Sequence, residues 1–238
     1  TADAGDGLDY CHTPACEAAY RSVSDQSFSI VNAAADKIRS VDNRLGVSTM
    51  AYTERADTPS ISIAPNVHVM VVPGAFQSVS TAAELMLRWS KKHNKISQYD
   101  YLNIGVWAYD MPFYNLSQYH SYLQFLKRLK VEGLQYETSL SKFASGIPQY
   151  FILQFLANPY GDVNVLLDEF CRKNFEGAAV PMKSLLKEWY FSNTHLQTNY
   201  DRPSFYSDEL GRFFRYMEDA EKTPSLSAAA RYRITELK

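Results

Sequence analysis

Two carboxylates stand in aromatic settings at the ends of short apolar runs: Asp100 in Gln98-Tyr99-Asp100-Tyr101-Leu102, and Glu137 in Gly133-Leu134-Gln135-Tyr136-Glu137-Thr138. A carboxylate can donate a proton to a leaving oxygen, and a second can act as base or nucleophile at an anomeric carbon. Tyrosine rings beside them offer apolar faces for sugar C–H groups and hydroxyls for sugar oxygens. Glu137 follows Tyr136 in a strand apolar enough to hold a carboxyl protonated for an acid's role; equally, Ser139 or Ser141 could satisfy it at the strand exit. Asp100 is either a catalytic group or a cap on the amides of the next loop. Asp6, in an Asp-Gly pair near the start, is a third candidate that also reads as a turn residue. Asp3 and Asp9 lie in the same stretch. Tyr52, Tyr101, Tyr136, Trp107 and Tyr109 are the candidate sugar platforms.

The elements that must position these groups follow from periodicity. Phe28, Val31, Ala35 and Ile38 give a helix over Ser24–Ser40, and Val47–Tyr52 alternates as a strand. A proline-marked connection, 58–66, leads to Val67–Pro73, apolar throughout as a buried parallel strand is. Thr81 and Glu84 form a capping box opening a helix through Leu85, Leu87 and Trp89. Ile96–Leu102 is the third strand. A helix carrying Tyr119, Tyr122, Leu123, Leu126 and Leu129 leads to Gly133 and the fourth strand, 133–137. Helices between most strands predict a parallel sheet. Beyond Ile147 only helices are predicted, over 148–157, 163–174, 181–192 and 208–222, with Pro181 in a first turn. The expected division is a partial barrel over 1–158 and a helical region over 159–238, with a soft boundary near Asn158-Pro159-Tyr160-Gly161.

The remaining candidates read more plainly. Trp89, Trp189 and Cys171 fall on helix stripes and are core; His68, within an apolar strand, is expected as a core histidine, and His120 as a surface group. Cys11 and Cys16 could form a loop disulfide, remain free thiols, or give half a zinc site with His12, although no second ligand pair has metal-site spacing. No metal or cofactor is predicted. A formal net charge of -2 argues against nucleic acid as the main partner, and no apolar run approaches the roughly 18 residues that span a bilayer. The chain opens without Met and stops inside a helical pattern, so it is expected to be a segment of a longer protein.

Three stretches together resemble the bacterial glycoside hydrolase family 163, long catalogued as a domain of unknown function. They are Asp6-Gly7-Leu8-Asp9-Tyr10-Cys11 followed by Cys16; Tyr99-Asp100-Tyr101; and Asp168-Glu169-Phe170 followed by Asn174-Phe175-Glu176-Gly177-Ala178-Ala179. The resemblance covers Asp6 to Glu221, with Thr13 where the family loop often has a third cysteine and Tyr99 where it usually has Trp. It implies a secreted or surface-attached glycosidase with a TIM-barrel core, cleaving at N-acetylglucosamine within N-glycans, in which the substrate's own acetamido oxygen can serve as nucleophile. It places Asp6 on the loop after strand four, where related barrels hold their acid. It also implies that this chain is the second half of the (β/α)8 barrel, the first half lying outside it. An α-glucuronidase-like glycosidase and a carbohydrate-binding barrel without catalysis are the alternatives. On either catalytic reading Asp100 and Glu137 are expected to converge on one cleft.

Overall fold

A computed structural model describes residues 10–76, 81–102, 115–138, 142–192 and 206–238. Asp3, Asp6, Asp9, Trp107, Tyr109, Ser139 and Ser141 lie outside the described residues. The fold is mixed α/β, and the chain divides into two compact units, Thr1–Tyr101 with Leu126–Glu137, and Leu102–Phe125 with Thr138–Lys238.

The first unit is a four-stranded parallel sheet in the order β1 (Val47–Thr53), β2 (Val67–Phe76), β3 (Ile96–Leu102), β4 (Leu134–Thr138). Val47 pairs with Val67 and Ala51 with Val71; Val69 pairs with Ile96 and Val71 with Gln98. The helices of this unit are α1 (Pro14–Ala19), α2 (Val23–Val41) and α3 (Ala82–Lys92). Phe28, Val31 and Ala35 of α2, with Leu85, Met86 and Trp89 of α3, are buried, as are Val47, Ala51, Val67, Val69, Val71 and Ile96 of the strands. Each large aliphatic side chain so placed contributes about 1.5–3 kcal/mol. Leu87 is exposed and Met86 takes the buried place, because at 3.6 residues per turn position 87 points away from the face shared by 85 and 89.

Parallel strands that are sequence neighbours require a crossover of roughly a dozen residues or more, usually a helix. Between β1 and β2 that crossover has no helix, and α2 supplies the fastening. Asp25 accepts from the Ser60 amide and hydroxyl (2.5 and 2.7 Å) and from the Ile61 amide (3.4 Å). Asn32 bonds the Ser62 carbonyl and the Ala64 amide, both at 2.8 Å, and Asn66 donates to the Ala35 carbonyl. From α3, Trp89 Nε1 donates to the Ala56 carbonyl at 2.7 Å.

The other face of the sheet is only partly covered. Ser48, Met50, Tyr52, His68 and Met70 are half-buried and Gln135 and Glu137 are exposed. His68 is therefore not a core residue: alternation turns it away from the valines beside it, and its Nε2 lies 3.6 Å from Glu132 Oε2.

The second unit is helical: α4 (Leu116–Arg128) up to Phe125, α5 (Lys142–Ala157), α6 (Val163–Phe175), α7 (Ala179–Leu186), a π-helical turn Lys187–Ser192, α8 (Ser207–Glu221) and α9 (Ala228–Leu237). α5 starts six residues before Pro148, which sits inside it. Phe151 anchors the core, with ring centroids 5.3 Å from Phe170 and 5.1 Å from Phe191. His120 is buried and lies 4.3 Å from the Phe155 ring, contrary to the surface position expected. The buried stripe of α4 runs through Leu116, Tyr119, His120 and Leu123. Cys171 is buried, and burial foremost, with the Asp168 charge, pushes its thiol up to about 12. Cys11 and Cys16 form a disulfide, so neither the free thiols nor the half zinc site is realised. Among the described residues no cluster of three or more His, Cys, Asp or Glu could hold a metal, and no helix is long and apolar enough to cross a membrane.

Two outcomes follow. Burial acts to raise the Asp25 pKa, but the Ser60 hydroxyl and the backbone amides bonded to it outweigh burial and leave it lowered. Its contribution to stability is complete above the unfolded value of about 3.9 and is lost as pH falls through the lower folded value. Asp25→Asn should reduce unfolding free energy by about 2 kcal/mol at pH 7 and by far less near pH 2, as read by urea titration. Separately, a Cβ at position 46 would lie 2.5 Å from the Asn66 carbonyl oxygen. Gly46→Ala should destabilise by about 2 kcal/mol, with the loss visible in the same titration.

Candidate functional site

Chemistry in a parallel α/β sheet gathers at the carboxyl ends of the strands, where loops converge. At those ends β3 and β4 contribute one cluster. Tyr99 donates its hydroxyl to Glu137 Oε2 at 2.7 Å, so both side chains stand on the same face of the sheet. Tyr101, two residues along the strand, shares that face, and its ring meets Tyr99 edge-on at 5.4 Å between centroids. Tyr52 reaches in from β1 and hydrogen-bonds Tyr101. It does so from an irregular strand end: pairing to β2 shifts between Ala51 and Thr53, and Thr53 takes a left-handed φ of 52°. A β-branched residue holds that conformation only where its surroundings demand it, and such irregularities re-aim neighbouring side chains.

The cluster's electrostatics show in Tyr101. Burial foremost, then the proximity and hydrogen bond of Tyr52, then Tyr99 and the Glu137 charge, all oppose its ionisation and raise its pKa. Tyr101 is therefore a neutral hydroxyl across the physiological range, able to donate or accept.

Asp100 lies elsewhere. Gln98 Nε2 donates to its Oδ2 at 3.2 Å and the Tyr101 amide to its Oδ1 at 2.8 Å. Residues 98 and 100 share the face opposite Tyr99 and Tyr101, the face on which Gln98 is fully buried. Asp100 and Glu137 thus do not converge; the pleat that sets Tyr99 against Glu137 turns Asp100 the other way. Tyr136 alternates away from Glu137 for the same reason. The carboxyl is also not in the apolar setting expected of it: Glu137 is exposed, and its Oε2 is an acceptor.

Of the sequence candidates, the structure gathers Glu137, Tyr101 and Tyr52, and adds Tyr99, which the sequence presents only as a neighbour of Asp100. The signal for Tyr99 was its two-residue spacing from Tyr101. Arg55, in the loop after β1, is fully buried; it donates to the Met50 carbonyl at 3.0 Å and to the Tyr10 hydroxyl. Cys11, next to Tyr10, exchanges two hydrogen bonds with the Gln26 side chain. The disulfide-bonded segment is thereby tied to the β1 end of the site.

The chain belongs to the family described as Domain of unknown function (DUF4838), whose model matches residues 3–187. No curated protein and no solved structure matches it.

The Tyr101 environment is directly measurable. In protein carrying 13C at tyrosine Cζ, Tyr101 should ionise above the ordinary value of about 10. Glu137→Gln and Tyr52→Phe should each bring that ionisation to lower pH, by removing a charge and a hydroxyl partner respectively. An unchanged titration in both variants would mean that burial alone sets it.

Proposed function

We propose that this protein is a glycoside hydrolase acting on glycans that contain N-acetylglucosamine, with endo-β-N-acetylglucosaminidase-type cleavage of N-glycans. The observation that carries the reading is a carboxylate held by one tyrosine and flanked by two more at the carboxyl ends of parallel strands. A sugar ring needs aromatic faces to stack on, hydroxyls to bond, and a carboxylate aligned with the anomeric centre or with the acetamido group beside it.

In this reading Glu137 is the working carboxylate. With Tyr99 donating to Oε2, Oε1 is the oxygen that meets substrate, and the fixed geometry suits a group that orients the acetamido N–H or receives a proton. Tyr101 and Tyr52 form the sugar platform. Asp6 remains the candidate acid/base, and Trp107 and Tyr109 remain candidate sugar-stacking residues, all three outside the described residues. Asp100 fixes the end of β3 by holding the Tyr101 amide, a positioning role in place of the catalytic one suggested by the sequence. The alternative of an α-glucuronidase-like enzyme is less favoured because the described residues of this cluster, three tyrosines and a glutamate, include no cation to receive a uronate.

The half-exposed sheet face supports reading the four strands as part of a larger (β/α)8 barrel, because parallel sheets are covered on both faces. Residues outside this chain would supply the remaining strands. The Cys11–Cys16 disulfide favours a secreted, periplasmic or cell-surface location, where disulfides persist.

The test is incubation of the full-length protein with an N-glycoprotein, the released glycan being read by mass spectrometry. Glu137→Gln should lower turnover by about 10²-fold or more, with glycan binding retained. Unaltered turnover in that variant would remove Glu137 from the mechanism. Glycan binding without release by the wild type would favour a binding-only barrel.

A further inference from the structure

The helical unit contains a cavity of about 400 Å3 between α5, α6 and α9. That volume falls in the range of small-molecule sites, roughly 300–1,000 Å3. Its walls include Ile147 of α5 and Phe170 and Phe175 of α6, all buried residues. Among the lining residues only Arg233 of α9 carries a formal charge.

The state of that charge gives the cavity a chemistry. Arg233 is half-buried, and it makes one long hydrogen bond, from Nη1 to the Asn174 carbonyl at 3.3 Å. A guanidinium has five N–H donors. Among the described residues no carboxylate is ion-paired with it. The nearest acidic influence is Glu176, which feels the Arg233 charge but directs Oε2 to the Ser227 amide at 2.9 Å. Asn174, also in the lining, spends its side-chain N–H on the Phe170 carbonyl of its own helix at 2.9 Å. An open, largely apolar pocket with an under-used planar donor suits a ligand with an apolar body and one anionic oxygen pair, since guanidinium binds carboxylates through two parallel hydrogen bonds.

We infer that this cavity is a binding site for a small amphipathic carboxylate, one that carries an alkyl or aryl body between α5 and α6 and presents its carboxylate to Arg233. The site is independent of the sheet cluster and of the glycosidase reading.

Gly146 provides a clean control. It lines the cavity from α5, and a Cβ built there meets nothing within 4 Å. Gly146→Leu therefore adds an isobutyl group at the rim of the pocket from a position with open space at Cβ, and replacing a helical glycine favours the helix. The probes are octanoate and octan-1-ol, which share a chain and differ in charge, titrated calorimetrically into the full-length protein. Octanoate should bind saturably, and octanol at least about tenfold more weakly, the difference expected of a charge-assisted pair. Arg233→Gln should weaken octanoate by about tenfold and alter octanol by no more than about twofold. Gly146→Leu should abolish octanoate binding with far-UV circular dichroism and melting temperature preserved. Equal affinity for the two probes, indifference of octanoate to Arg233→Gln, or normal binding by a folded Gly146→Leu protein would each overturn the site. So would absence of octanoate binding in the full-length protein, the result expected if another segment of the chain fills the cavity.

Discussion

The structure hangs on the Asp25 carboxylate, which fastens the connection between β1 and β2. Two neighbouring strands can run parallel only if the chain returns along the sheet, and that return is normally a helix covering the strands it joins. Here the return is irregular backbone, whose amides and carbonyls must be satisfied without regular structure. Asp25 and Asn32 meet that need from a helix that precedes β1, with Trp89 completing it from the helix after β2. The ring of Trp89 lies 5.4 Å from Phe28, so the same contacts unite the two covering helices. Release of this connection would free the pairing of Val47 with Val67, and with it the alignment of the strand ends.

That alignment is what turns four separate side chains into a cluster. Tyr52 enters from β1, Tyr99 and Tyr101 from β3, and Glu137 from β4, so the group exists only while three strands keep register. Within it the decisive constraint is the two-residue pleat. Tyr99 and Asp100 are adjacent in sequence and lie on opposite faces, so the strand can offer one or the other to a ligand on a given side. It offers the tyrosine, and the aspartate serves the backbone of the strand end.

The aromatic residues divide by chemistry. Phe151, Phe155, Phe170, Phe175, Phe191 and Phe213 are core in the helical unit, where a ring without a polar atom has no partner to find. Tyr52, Tyr99 and Tyr101 are half-buried at the strand ends, with hydroxyls engaged. Composition alone cannot separate these uses, since both place a ring against carbon.

What the sequence determined is local. The strand over Ile96–Leu102, the capping box at Thr81 and the buried Cys171 follow from patterns spanning a few residues, each set by backbone periodicity or a single turn, and the parallel order from helices recurring between most strands. Tertiary structure decided which side of each element faces what. Alternation showed that Asp100 and Glu137 each have a face, but only pairing of β3 with β4 set Tyr99 opposite Glu137. The stripe of α4 was visible, but His120 joined it because Phe155 of α5 lies against that side. Cys11 and Cys16 were compatible with bond, thiols or metal until the fold closed the bond between them. The physical reason is common to all three: periodicity repeats over neighbours in sequence, whereas burial, partners and charge are fixed by residues that only the folded chain brings near.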